Sequence, residues 1–155
     1  MSKILQNLLD LGISLPAPNS PVANYVGYTI HNNIVFISGQ LPIVNGELKY
    51  IGKVGSEISI EDATKAARIC AINIISQLNL ACNNNLDKVT KCLKLGVFVN
   101  ADSNFKDHPI VANGASDLMV EIFGEAGKHS RAAVGSGSLP RGVSVEVDAI
   151  FAINS

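Results

Sequence analysis

The segment from Val143 to Ile153 carries the strictest pattern in the chain and restricts the fold most. Apolar side chains stand at every second position, and Ser144, Glu146 and Asp148 stand between the first of them. Successive side chains of a β-strand point to opposite faces of the sheet. The alternation therefore predicts a strand that belongs to a sheet with one buried face.

Two apolar runs earlier in the chain predict a β-hairpin. They extend from Tyr25 to Ile30 and from Ile34 to Ser38, on either side of the turn-forming triplet His31-Asn32-Asn33. The second run begins Ile34-Val35-Phe36-Ile37, which does not alternate. Continuous apolar runs are typical of strands buried on both faces, so we expect this strand to be covered on both sides.

Two further strands are predicted in the second half of the chain. One covers Lys88 to Asn100, and the other covers Arg131 to Gly135. On the longer strand we expect four apolar residues to share one face: Leu93, Leu95, Val97 and Val99.

Three segments have the spacing of amphipathic helices: Ser2–Leu11, Ile60–Cys82 and His108–Ala126. Ser59 and Asp107 stand where a capping residue would begin the second and third helices. Together with the strands, this order predicts one α+β domain, with a mixed sheet, two long helices on one face and an additional N-terminal helix.

The composition favours an oligomer. Of the 155 residues, 47% are hydrophobic and 16% are charged, against about 25% charged in a typical domain. With so few charges, we expect some apolar surface to meet another subunit, and the alternative is a single domain with an apolar exterior. The net charge is −1 and no basic block occurs, so the chain alone argues against nucleic-acid binding, although subunits could assemble a basic patch.

The cysteines and the N-terminus indicate a cytoplasmic protein. Cys70, Cys82 and Cys92 form no C-x-x-C motif, and no Cys/His cluster has the spacing of metal ligands. We expect buried free thiols, a reducing compartment and no metal. The first residues resemble no signal peptide, and no apolar run is long enough to span a bilayer.

Arg131 is the strongest candidate for binding a ligand. It begins an apolar strand, where an unpaired guanidinium is costly. Two interpretations remain open: a salt bridge to Glu146, Asp148 or Glu125, or a bidentate clamp on a substrate carboxylate. Glu146 is either the partner of the arginine or a group that positions water, and His129 lies two residues before Arg131.

Two motifs resemble a known family. Ser38-Gly39-Gln40, with Pro42 beyond, resembles the S-G-Q-x-P signature of the Rid family of reactive intermediate deaminases, also called the YjgF or liver perchloric-acid-soluble protein family. The run Arg131 … Leu139-Pro140 … Val145–Ala149 resembles a second block of that family. The resemblance covers Val22 to Ile153, so we expect a helix and Pro-rich lead-in over 1–21 and a Rid-like domain over 22–155.

The resemblance implies a chorismate-mutase-like α+β fold, a homotrimer with clefts between its subunits, and no cofactor. Family members hydrolyse 2-aminoacrylate and related 2-imino acids to 2-keto acids and ammonia. By resemblance, Arg131 binds the substrate carboxylate and Glu146 holds the attacking water. Tyr25 lies at the mouth of the cleft, and Ser38 and Gly39 line it.

Part of the chain departs from the family pattern. Ala133 replaces a cysteine that is common two residues after the arginine, and Asn113 only approximates the position of a family asparagine on the helix. Three alternatives to the deaminase stay open, and the altered stretch before Arg131 motivates the first of them. They are non-catalytic binding of small carboxylates, ribonuclease activity, which the low charge disfavours, and chorismate mutase activity, which the fold alone suggests.

Overall fold

The alternating C-terminal segment forms the middle strand of a five-stranded sheet in a computed structural model that describes residues 2–155. Three α-helices and seven strands are present among these residues. In chain order they are α1 (Lys3–Asp10), β1 (Tyr28–His31), β2 (Ile34–Gln40), β3 (Ile43–Val44), β4 (Glu47–Leu48), α2 (Ile60–Ala81), β5 (Val89–Asn100), α3 (His108–Phe123), β6 (Ser130–Ser136) and β7 (Val145–Ile153).

The main sheet has the order β1-β2-β7-β5-β6, and β3 and β4 pair separately. Neighbouring strands are antiparallel except β5 and β6, which are parallel. On β7, Val145, Val147, Ala149, Phe151 and Ile153 are buried. Helices α2 and α3 pack against each other and cover that face. The predicted α+β fold with two long helices on one face is confirmed.

The opposite face of the sheet is open in the single chain. On β2, Val35 and Ile37 are buried, whereas Phe36 is 45% exposed and lies opposite Ile150 of β7. The prediction that both faces of this strand are buried is therefore wrong for one chain. The reason is that both long helices pack on the same side of the sheet.

A register shift corrects the predicted face of β5. Leu95, Val97 and Val99 are buried as expected, but Leu93 is 37% exposed and Cys92 is fully buried in its place. The pairing with β7 shifts between Cys92 and Lys94. A bulge of this kind inserts an extra residue and reverses the alternation on one side of it.

The ends of the helices agree closely with the sequence patterns, with one exception. Ser59 caps α2, since its hydroxyl accepts a hydrogen bond from the Asp62 N–H at 3.1 Å. Asp107 precedes α3 but makes no capping hydrogen bond, and α3 ends at Phe123 instead of Ala126. Gly124, with a φ of 60°, ends the helix, and a short 3₁₀ turn follows.

The N-terminal helix packs on the rest of the domain. Leu8 is buried, and the side-chain amide of Asn7 donates to the Ile122 carbonyl at the end of α3 at 2.7 Å. Across residues 2–155, no helix is long and apolar enough to cross a membrane.

The three cysteines are free and buried, as predicted. Burial raises the pKa of the Cys92 thiol to about 12 and also raises the pKa values of Cys70 and Cys82. In the part of the chain that the structure describes, no three His, Cys, Asp or Glu side chains are grouped so that they could hold a metal ion.

Candidate functional site

A cleft with a volume of about 510 Å³ opens where β2 ends. Its lining combines the end of β2, the start of β7, the Pro-rich lead-in and the turn before β7. The lining residues are Asn19, Ser20, Pro21, Val22, Tyr25, Gly27, Ser38, Gly39, Gln40, Leu41, Ile43, Pro140, Arg141 and Glu146. Four of the residues predicted from the sequence, namely Tyr25, Ser38, Gly39 and Glu146, therefore share one cleft.

A β-bulge at Ser38 and Gly39 forms the base of this cleft. Ile37 pairs with Ala149 and Gln40 pairs with Val147, so β2 has one more residue than β7 between these pairs. The Glu146 carboxylate lies directly over Gly39, where a Cβ atom would collide with it. Because glycine has no Cβ, the bulge admits a carboxylate against the backbone.

Ser38 fixes the wall of the cleft instead of presenting a free hydroxyl. Its Oγ donates to the Val26 carbonyl at 2.6 Å, and its N–H donates to the Gly27 carbonyl at 2.9 Å. These bonds hold the chain just after Tyr25, whose side chain is 53% exposed. Tyr25 therefore stands at the rim of the cleft, where a ligand can contact it.

Two buried amides on α2 hold the neighbouring loops. The side-chain amide of Asn73 donates to the carbonyls of Leu41 at 2.9 Å and Ile43 at 3.1 Å. The Gln77 amide donates to the Asn19 carbonyl of the lead-in at 2.9 Å. Both amides are almost completely buried, so helix α2 fixes opposite parts of the cleft lining.

Glu146 is placed for proton transfer. Burial, and secondarily the negative charge of Asp148, raise its pKa above the ordinary value of 4.5. Burial likewise raises the pKa of Asp148. A hydrogen bond from the Gly96 N–H to its carboxylate and the charge of Lys94 partly offset this increase. A carboxylate that is poorly solvated and close to another negative charge holds a proton more tightly than a carboxylate in water does. Glu146 can therefore accept a proton from a water molecule in the cleft.

Arg131 does not line this cleft within one chain. Arg131 pairs with Leu95 of β5, and Leu95 pairs with Ala149 of β7, so these side chains share the face of the sheet that the helices cover. The side chain of Arg131 reaches helix α3 on that face. There, Nη1 donates to Asn113 Oδ1 at 2.9 Å and to Ser116 Oγ at 3.1 Å.

The salt-bridge interpretation of Arg131 is wrong, because no described residue forms a salt bridge with it. Glu146 and Asp148 point to the open face of the sheet, and Glu125 pairs with Lys128 at 2.7 Å. The guanidinium is exposed, and its described contacts are to neutral groups. Its charge therefore stays available to an anion.

His129 extends the network around Arg131. Its Nδ1 lies 2.6 Å from the Gly127 carbonyl and its Nε2 lies 2.8 Å from Ser116 Oγ. A carbonyl only accepts hydrogen bonds, so Nδ1 carries a proton, and in the neutral imidazole Nε2 accepts from the Ser116 hydroxyl. The hydroxyl oxygen then remains free to accept from Arg131. Proximity in sequence pointed to His129, but nothing local indicated Ser116.

The remaining predicted residue, Ala133, lies on the same strand as Arg131. It pairs with Val97 and packs, half-buried, against the core. The predicted site residues thus separate into two groups. Tyr25, Ser38, Gly39 and Glu146 share the cleft. Arg131 and Ala133 lie on strand β6 at the edge of the sheet, and Asn113, which Arg131 contacts, lies on helix α3.

Sequence reasoning missed two parts of the cleft. Arg141 lines it beside Pro140, although the sequence offered only the Leu139-Pro140 pair as part of a motif. The Pro-rich lead-in, expected to lie outside the main domain, contributes Asn19, Ser20 and Pro21. A proline-rich stretch predicts irregular backbone but not the surface on which it lies, so no local signal identified these contacts.

Comparisons with known proteins agree with this architecture. The family model described as "YjgF/chorismate_mutase-like, putative endoribonuclease" matches residues 6–152. Protein TCP17 of Trypanosoma cruzi is 42% identical over 154 residues, which span 99% of this chain and 96% of that protein.

Solved structures extend the agreement to three dimensions. Atu1372 of Agrobacterium tumefaciens, a protein of unknown function, is 42% identical with a TM-score of 0.92, over 98% of this chain and 93% of that one. A protein of Shewanella oneidensis described as a putative endoribonuclease is 31% identical with a TM-score of 0.94, over 98% and 100% of the two chains. Escherichia coli TdcF, solved with bound serine, shares the fold at 24% identity and a TM-score of 0.64, over 92% and 96%.

Proposed function

Because the chain belongs to the YjgF/chorismate mutase-like family, we propose that it hydrolyses small 2-imino and enamino acids of the 2-aminoacrylate type to 2-keto acids and ammonia, without a cofactor. The observation that carries the proposal is the Glu146 carboxylate, half-buried in a cleft and seated against the backbone of Gly39. Its raised pKa suits a group that takes a proton from water.

The reaction requires only addition of water and loss of ammonia. An enamine first takes a proton from solvent at its terminal carbon and becomes an iminium ion. Water then adds to the C=N carbon while one of its protons passes to Glu146. That proton moves from Glu146 to the nitrogen, and the C–N bond breaks as the new hydroxyl group returns its proton to solvent, so that ammonia and a 2-keto acid are released. A positioned base and a fixed substrate supply what this chemistry needs.

We further propose that a neighbouring copy of the chain supplies the arginine. Strand β5 lies between β6 and β7, which separates their backbones by about 10 Å. Arg131 and Glu146 also point to opposite faces of the same sheet, so one chain does not direct both at one small molecule. Strand β6 is an edge strand, and in a ring of three copies it can carry Arg131 to the cleft of the next copy.

Removing the guanidinium tests the proposed carboxylate clamp. Losing one partner of a buried charged contact costs about 2–5 kcal/mol, so we expect Arg131→Ala to lower kcat/KM about thirty-fold to a few thousand-fold. The assay couples the protein to a pyridoxal phosphate enzyme that releases 2-aminoacrylate, and follows pyruvate. Arg68→Ala is the matched control, since Arg68 lies on α2 away from the cleft, with its Nη1 3.8 Å from Glu121. An unchanged rate in Arg131→Ala would contradict the mechanism.

Mixed oligomers test whether the site is shared. Arg131→Ala and Glu146→Gln chains are each expected to have little activity alone. When the two are refolded together in equal amounts, random assembly gives about a quarter of the shared sites both wild-type residues. Recovery of roughly that fraction of activity supports the shared site, and no recovery contradicts it.

The same cleft also suits binding without turnover, the alternative left open by the sequence. Calorimetry with 2-oxobutanoate, next to the coupled assay, separates the two functions. Saturable binding with no acceleration of imine decay would replace the deaminase with a metabolite-binding module.

A further inference from the structure

Arg141 is a cation in the cleft without an assigned partner. Within residues 2–155 it forms no salt bridge, although Glu146 lines the same cleft. Burial, and secondarily the charge of Asp148, raise the pKa of Glu146. The other lining residues are uncharged. Arg141 is exposed. Because it forms no salt bridge with any described residue, its charge is available to an anion that enters the cleft.

The backbone at Arg141 is unusual for an arginine. Its φ of 59° and ψ of 16° are left-handed, a conformation that glycine and asparagine adopt at lower cost. Hydrogen bonds hold the turn, since the Gly142 N–H donates to the Leu139 carbonyl at 3.0 Å and the Gly142 carbonyl accepts from Gly52 at 2.8 Å. Strained backbone kept in a fixed turn is often found at functional positions. The turn fixes the backbone of Arg141 at the edge of the cleft that this residue lines.

The cleft is larger than a three-carbon substrate requires. Its volume of about 510 Å³ lies in the range of pockets that hold ligands of drug size. Residues 19–22 form part of its lining, and the Gln77 side-chain amide anchors them at the Asn19 carbonyl. A substrate longer than three carbons fits a cleft of this volume, which both Glu146 and Arg141 line.

We propose that Arg141 binds a second acidic group, so that the preferred substrates are 2-imino acids with an acidic side chain. The inference rests on the proposed deaminase function for its substrate class. One carboxylate of such a substrate would meet Arg131 of the neighbouring copy, and the other would meet Arg141. Two cations are needed because the Glu146 carboxylate, when ionised, opposes the entry of a doubly negative ligand.

The test compares two imines of equal chain length. Oxidation of glutamate by an amino-acid oxidase yields 2-iminoglutarate, and oxidation of norvaline yields 2-iminopentanoate, whose side chain is neutral. Capture of the imine by semicarbazide competes with its hydrolysis and reports the enzyme rate. We expect the ratio of kcat/KM for the acidic to the neutral imine to fall about tenfold or more in Arg141→Asn, because a charge-assisted hydrogen bond is lost.

The variants are chosen so that folding does not obscure the result. Asparagine adopts left-handed backbone more easily than arginine, so Arg141→Asn is expected to keep the melting temperature. Arg141→Lys keeps the charge but not the planar fork, and we expect an intermediate ratio. Arg68→Ala is the control for loss of a positive charge elsewhere on the surface. We also expect the preference for the acidic imine to weaken at high salt.

A binding measurement separates this inference from the proposed function. Calorimetry compares 2-oxoglutarate with 2-oxopentanoate in the wild type and in Arg141→Asn. If no imine is hydrolysed but 2-oxoglutarate binds preferentially through Arg141, the deaminase proposal fails and the second anion site stands. If imines are hydrolysed but Arg141→Asn leaves both the rate ratio and the binding preference unchanged, the second anion site is overturned and the deaminase proposal stands.

Discussion

Glu146 and Asp148 are half-buried carboxyl groups whose ionisation lowers the stability of the fold. They lie two positions apart on β7, so both carboxylates point to the same face. Burial raises the pKa of each, and the charge of Asp148 raises that of Glu146 further. The folded state therefore binds the Glu146 proton more tightly than the unfolded chain does. Ionisation of this group then destabilises the fold as the pH rises through its raised pKa.

Replacing this carboxylate should stabilise the protein at neutral pH. We expect Glu146→Gln to raise the melting temperature at pH 7, since the amide avoids the cost of ionising a half-buried group beside the charge of Asp148. The gain should be small below the ordinary pKa of 4.5 and grow as the pH rises above it. Thermal unfolding from pH 4 to 8 measures the effect, with Asp117→Asn on the exposed surface of α3 as the control. A gain that is independent of pH would contradict the assignment.

At the scale of elements, the helices and strands were largely predictable, and the errors fell at irregular points of the sheet. The strict alternation of β7 and the capping residue of α2 are local signals, and they located both elements. The bulge between Cys92 and Lys94 shifts the alternation of buried and exposed side chains along β5, so Leu93 is exposed although an uninterrupted alternation predicts that it is buried. A bulge depends on pairing with another strand, which the periodicity of one segment does not reveal.

The bulge in β2 is the element most directly tied to the proposed chemistry. A Cβ at position 39 would collide with the Glu146 carboxylate, so we expect Gly39→Ala to displace the carboxylate and lower kcat/KM by about tenfold or more. Gly137→Ala is a matched control, because a Cβ there meets no atom within 4 Å. Kinetics in the coupled assay, with melting temperatures for both variants, measures the effect. Equal rates in the two variants would contradict the proposed role of the bulge.

At the scale of the whole molecule, the open face of the sheet is the main surface without a partner in the single chain. Phe36 and Val134 are each 45% exposed, and Leu93 adds further apolar surface. Apolar patches of this kind mark interaction sites, in accord with the oligomer that the composition led us to expect. We propose that two further copies of the chain cover this face.

A charge on this face should prevent assembly. We expect the wild type to elute as a trimer and Phe36→Glu to elute as a monomer at micromolar concentration, because an unpaired buried carboxylate is costly. Activity should fall with assembly, since the proposed site is shared. Leu80→Glu is the matched control, because Leu80 is 47% exposed but lies on α2. Size-exclusion chromatography with light scattering measures the mass, and a trimeric Phe36→Glu would contradict the proposed interface.

The sequence by itself determined the elements, the α+β class and the family, because alternation, helical spacing and short motifs are local properties of the chain. Only the tertiary structure decided that Glu146 lies in a cleft with Tyr25, Ser38 and Gly39, whereas Arg131 reaches the opposite side of the sheet to contact Asn113. The face on which a strand residue lies depends on its register with neighbouring strands and on where the helices pack. Those contacts join residues far apart in the chain, so no local pattern specifies them.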